Sequence, residues 1–111
     1  MNITRQLTAG LMITLAGVAR AQMAVPEPTE LVDAQHCMFC HTPDMPFLAP
    51  SFHQIAERYH DVPRAQEKLE IKLRLGGRAH WGDTPMPSAA ERGGPLSRDD
   101  ARLLVQWVLS Q

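Results

Sequence analysis

The chain has 111 residues, 11 basic against 12 acidic, with two cysteines and six aromatic side chains. That length holds one domain at most. The near-neutral balance, without any basic run, argues against a nucleic-acid partner, and two cysteines cannot make a disulfide framework.

Residues 1–21 read as a secretory signal peptide. Arg5 supplies the positive start, Leu7 to Ala19 is a mostly apolar run without charge, and Ala19-Arg20-Ala21 is an A-x-A-like site. Arg20 is a mild irregularity there. The run is about 13 residues, short of the roughly 20 that span a bilayer, so an uncleaved anchor is the weaker alternative. Cleavage after Ala21 leaves 90 residues, nine basic and twelve acidic, a net charge of −3. Export also puts both cysteines in an oxidising compartment.

Residues 22–28 form an extended leader, because Pro26 and Pro28 break any helix. The working domain is 29–111. A first short helix starts at Thr29, a candidate N-cap, with Glu30 in the first turn where the helix dipole favours an anion. It leads into Cys37-Met-Phe-Cys40-His41. Pro43, Pro46 and Pro50 make 42–50 a loop. Ser51 caps a second helix, whose apolar face is Phe52, Ile55, Ala56 and Tyr59, and Asp61-Val62-Pro63 ends it. Between 65 and 75, Leu69, Ile71, Leu73 and Leu75 alternate as in a strand, but the intervening residues are helix formers and Gly76-Gly77 is a helix stop. We read it as helix. Residues 76–96 read as one long Gly- and Pro-rich loop, of the kind that is functional or disordered in a small domain. Ser97 opens the last helix, with Asp100 completing a capping-box pattern and Ala101, Leu104, Trp107 and Val108 as its buried stripe. The fold class is all-α, short helices joined by loops.

C-x-x-C can start a disulfide, a zinc site, a redox thiol pair or a haem attachment. One bridge over so short a loop constrains the unfolded chain little. Zinc wants four ligands, and no further cysteine exists. Thiol redox activity needs the motif at a strand-to-helix junction, and no sheet is legible. C-x-x-C-H is the attachment signature of a c-type haem. Cys37 and Cys40 would form thioethers to two vinyl groups on one edge, and His41, one step on, would place its imidazole under the iron. A large buried cofactor would also make up for the scarcity of aromatic side chains.

The opposite face of the iron decides between electron transfer and gas or peroxide chemistry. Met38 and His36 belong to the attachment edge, Met45 starts on the proximal side, Met23 lies in the leader, and His53 and His60 sit on or beside a helix. His80 and Met86 remain, both in the long loop. Met86 stands between Pro85 and Pro87, which stiffen the backbone around it and can aim its side chain. His80 is the substitute.

Together, CMFCH near the mature N-terminus, LAPSF after it, HWGDTPMP in the long loop and LVQWVLSQ at the end resemble the short class I cytochromes c of bacteria, over essentially all of 28–111. The resemblance implies four or five short helices wrapped around one covalent haem c, the first and last crossing near the attachment edge. It implies His41 and Met86 as axial ligands, the Pro50 carbonyl accepting a hydrogen bond from the ligating imidazole, and Trp81 on a haem propionate. More weakly, it implies Lys72 near that propionate. Two positions depart from the family, His36 and Ala49 standing where it usually has glycine. Residues 89–96 look longer than its usual link, an insertion we read as a neutral surface loop. The implied function is a monomeric periplasmic electron carrier. It would serve redox proteins such as membrane cytochrome complexes, oxidases or reductases, with no small-molecule substrate and no enzymatic activity of its own. The alternatives are a dedicated subunit of a larger oxidoreductase, or a haem sensor or peroxidase-like protein with a labile sixth ligand.

Overall fold

The computed structural model describes residues 12–13, 16–17, 25–78, 80 and 82–111. Most of the signal-peptide segment, part of the leader and Trp81 lie outside them. Five α-helices follow in order, α1 (Thr29–Ala34), α2 (Phe52–Tyr59), α3 (Ala65–Leu75), α4 (Ala89–Arg92) and α5 (Arg98–Leu109), with a 3-10 turn at Cys37–Phe39 between the first two. Among the described residues there is no β-strand, only an isolated bridge between Gly77 and Met86. None of their helices is long and apolar enough to cross a membrane.

Each helix starts where local chemistry supplies an end. Pro28, rather than Thr29, occupies the cap of α1, its carbonyl accepting from the N–H groups of Leu31 and Val32 at 3.0 Å. Ser51 and Gln54 form a reciprocal capping box on α2, with bonds of 2.9 and 3.1 Å. Thr42 and Pro43 carbonyls take up the N–H groups of Phe52 and His53, which a helix start would otherwise leave unpaired. Ser97 caps α5 by accepting from the Asp100 N–H at 3.1 Å. On α3 the alternation that imitates a strand resolves into two stripes of i,i+4 pairs. Leu69 and Leu73 turn inward to a cleft, while Ile71 and Leu75 are 51% and 68% exposed.

Residues 76–96 are not one continuous loop. Ser88 and Glu91 form a second capping box that starts α4, and Ala89 and Leu96 are buried in the core. The segment read as a neutral surface insertion is therefore packed into the domain. The reason is the spacing: Ala89 and Leu96 bracket a short turn, so its two apolar ends close inward together.

The core gathers Val32, Phe52, Leu96, Ala101, Leu104 and Trp107 with Ala89. Val32 and Leu104 are almost fully buried, each worth about 1.5–3 kcal/mol relative to exposure. α5 packs on α2, α3 and α1, so the last helix meets the first beside the CMFCH turn. Gly93 lets the end of α4 close onto the end of α1, since a Cβ there would lie 2.1 Å from the carbonyl oxygen of Ala34.

Candidate haem site

His36 ends α1 in the left-handed conformation, at φ 52 and ψ 35. That is why glycine is the easy residue at this position; here the imidazole stacks on Phe39 at 4.8 Å instead. The chain then turns tightly. The Cys37 carbonyl accepts from both the Cys40 N–H (3.3 Å) and the His41 N–H (3.1 Å). One backbone oxygen thus fixes the spacing of the two sulfurs and the imidazole.

The His41 ring is held from two sides. Its Nδ1 lies 2.7 Å from the carbonyl oxygen of Pro50. A carbonyl only accepts, so Nδ1 carries the proton and Nε2 keeps the lone pair. One face stacks on Phe52, centroids 5.3 Å apart, and Phe52 in turn meets Trp107 edge-on at 4.8 Å. The last helix therefore positions the imidazole through an aromatic intermediary. Burial pushes the His41 pKa down; the Pro50 bond opposes this and the Arg92 charge adds to it. A neutral ring with a free Nε2 is what a metal ligand requires.

Both cysteines are unpaired and half-buried. Burial pushes the Cys37 thiol up, only partly offset by Arg92. Thiol-redox C-x-x-C pairs have a depressed value, and Cys37 is shifted the other way. Among the described residues no three His, Cys, Asp or Glu side chains converge as a zinc site would need.

Across the fold, Met86 is set by its backbone. It exchanges two hydrogen bonds with Gly77, at 2.8 and 2.9 Å. Gly76 lies directly under it: a Cβ there would fall 2.5 Å from the Met86 carbonyl oxygen and 2.6 Å from the Ser88 nitrogen. Gly76 also has φ 65, so the residue that stops α3 is the one that lets the methionine loop close down. Cys37, His41 and Met86 line one cleft, with Leu69, Leu73 and Val108 among its walls. Its walls are almost wholly apolar, as cofactor pockets usually are. An imidazole, a thioether and a cysteine on one apolar cleft fit a haem.

The other candidates are used elsewhere. His80 Nδ1 hydrogen-bonds the Tyr59 hydroxyl, and its carbonyl accepts from Arg58 at 3.3 Å. His53 pairs with Glu57 and His60 with Asp61, both at the surface. Met45 is 70% exposed. Lys72 donates to the carbonyl of Arg78. Sequence reasoning missed two contributors. Gly76 was legible as a helix stop but not as a seat for Met86. Arg92, which reaches Leu73 and Gln35, carries no sequence signal at all.

No family model matches the chain. Cytochrome c-551 of Pseudomonas aeruginosa is 31% identical over 102 residues, 91% of this chain and 93% of that protein. Cytochrome c-551 of Azotobacter vinelandii is 32% identical over 81 residues, 73% of this chain and 93% of the relative.

The chain belongs to the small bacterial class I cytochromes c.

The crystal structure of cytochrome c552 from Nitrosomonas europaea agrees, with a TM-score of 0.64 at 30% identity, covering 73% of this chain and 95% of that one. As a class I cytochrome c the chain is an electron-transfer protein with one covalently bound haem c. The all-α expectation holds, with five helices. The packed 89–96 segment sits on this cytochrome fold without adding a strand.

Proposed function

We propose that this cytochrome shuttles single electrons between redox proteins in the bacterial periplasm; Cys37 and Cys40 would anchor the haem as thioethers, and His41 and Met86 would ligate its iron. The observation that carries the reading is the meeting of His41 and Met86 on one apolar cleft, each held by its own hydrogen bonds. Bound there, the haem supplies a ferric–ferrous couple that takes up and releases one electron.

The chain's own residues keep the cost of that exchange low. The Pro50 carbonyl fixes the His41 tautomer and raises its basicity as a ligand. The bridge to Gly77 and the flanking prolines hold Met86 in place, so neither ligand has to move. A thioether partner and an apolar wall both favour the ferrous state and raise the potential. Trp81 would serve a haem propionate, as the family resemblance implies. A signal peptide over residues 1–21 accounts for export, with 22–28 as leader and 29–111 as the cytochrome domain. The protein transforms no substrate itself.

Contact with monomer-to-partner geometry runs through apolar atoms rather than a lysine ring. Phe39, Met45, Phe47 and Leu48 are each more than 60% exposed on the attachment side, and the mature charge is acidic. Electron transfer should therefore depend only weakly on salt.

The test is the absorption spectrum of the oxidised protein beside that of Met86→Ala. The expected result is a weak far-red sulfur-to-iron band that the variant lacks, with no carbon monoxide binding by the reduced wild type. Ready carbon monoxide binding by the native protein would replace this reading with a sensor or peroxidase-like one.

A further inference from the structure

Arg92 sits where a permanent positive charge is hard to place. Its Nη2 donates to the carbonyl of Leu73 at 2.6 Å and to Oε1 of Gln35 at 3.0 Å. Both acceptors are neutral. Gln35 is itself 4% exposed and anchored to the Gly94 carbonyl at 3.0 Å. The Nε of Arg92 is buried with no partner. Among the described residues no carboxylate forms an ion pair with it. A charge in this position carries a desolvation cost that hydrogen bonds to neutral groups offset only in part.

Its position relative to the cleft is equally specific. Leu73, whose carbonyl it holds, lines the cleft together with Cys37 and His41. Gln35, its other acceptor, stands two residues before Cys37. The guanidinium therefore bridges the first helix and the cleft wall at the attachment edge, under cover of α4. Half-buried charges act through a medium less screening than water.

We propose that Arg92 sets the reduction potential of this cytochrome: its uncompensated charge, fixed beside the attachment edge, opposes the extra positive charge of the ferric state and so favours the ferrous one. The proposal rests on the electron-carrier reading above. No proton is exchanged and no bond is made; Arg92 acts on the one-electron equilibrium as a fixed charge. It also gives the 89–96 segment a purpose beyond packing, since α4 is what carries this residue to the cleft wall.

The experiment is a spectroelectrochemical titration of the haem-loaded full chain as wild type, Arg92→Met and Arg92→Lys, each first checked for the far-red band. Arg92→Met should lower the reduced-to-oxidised ratio at a fixed applied potential by about three- to tenfold, tenfold being about 59 mV for one electron. Arg92→Lys, which keeps the charge and loses the two-acceptor geometry, should stay within about twofold. Equal drops in both variants would make Arg92 a packing residue and overturn the proposal, as would an unchanged ratio in Arg92→Met. Should Arg92→Met fail to take up haem, Gln35→Glu keeps Arg92 and sets a carboxylate against it. That variant must also lower the ratio, and an unchanged value overturns the proposal. Carbon monoxide binding by the reduced wild type tests the carrier reading separately, so the two failures are distinguishable.

Discussion

Both His41 and Met86 are bonded to backbone nine residues away, but the CMFCH loop closes on itself through several such local bonds, whereas, among the described residues, the methionine loop closes only onto the end of α3. On the first side, Cys37 bonds Cys40 and His41, Cys40 bonds Ala49, and His41 bonds Pro50, nine residues on. On the second, Gly77 bonds Met86 and Gly76 passes beneath it, and the end of α3 that leads into both is tied to later chain: Arg74 holds the Leu96 carbonyl and Arg92 holds that of Leu73. A local loop keeps its shape with modest support, because closing it costs little chain entropy. A seat built from distant elements fails as soon as one of them shifts. Damage to the two sides should thus have different signatures.

The largest effect is expected from Gly76→Ala. The added Cβ meets backbone of Met86 and Ser88, and φ 65 is unfavourable for alanine. The cost should be about 3 kcal/mol, with overpacking and left-handed strain combined. The distinctive outcome is loss of the far-red band while covalent haem is retained. Denaturant unfolding and the oxidised spectrum read both, and a variant with the band intact would break the comparison.

Ser51→Ala tests the other side with a smaller change. It removes a fully buried cap and should cost about 1–2 kcal/mol. The Pro50 carbonyl and the loop's backbone bonds survive, so the spectrum should not change. A lost band in this variant would mean that the attachment side is no more self-sufficient than the methionine side.

His36→Gly sharpens the comparison from the opposite direction. Relief of the left-handed backbone, about 1–2 kcal/mol, is set against glycine's greater unfolded freedom, about 0.5–1 kcal/mol, and the lost stack on Phe39. The result should lie within about 1 kcal/mol of wild type, on the stabilising side, by thermal unfolding. A clear destabilisation would show that the His36–Phe39 stack supports the turn.

The smallest effect is a slope with pH. Burial, with Lys72, Arg58 and Lys68 nearby, pushes the His80 pKa below its ordinary value. A depressed folded value means that the unfolded chain binds the proton first. Stability is complete above the ordinary histidine pKa, about 6.5, and declines as pH falls below it. Unfolding midpoints between about pH 7 and 5 should fall less steeply in His80→Asn than in wild type; identical slopes would remove His80 from the account.

The sequence by itself determined the all-α class, the CMFCH turn, the Ser51 and Ser97 caps and the α5 stripe. Each of these depends on residues a few positions apart, whose chemistry acts through local backbone geometry. It also pointed to Met86 through the two flanking prolines. Tertiary structure decided how that methionine is seated. The Cβ-free surface of Gly76, the close pass of Gly93 under Ala34 and the reach of Arg92 to Leu73 and Gln35 leave no periodic or compositional trace. The same holds for α3, where alternating leucines and isoleucine became two helical stripes only once one face had a cleft to line. Contacts between residues near in sequence are written in spacing, whereas contacts between distant ones depend on which surfaces the packed helices finally bring together.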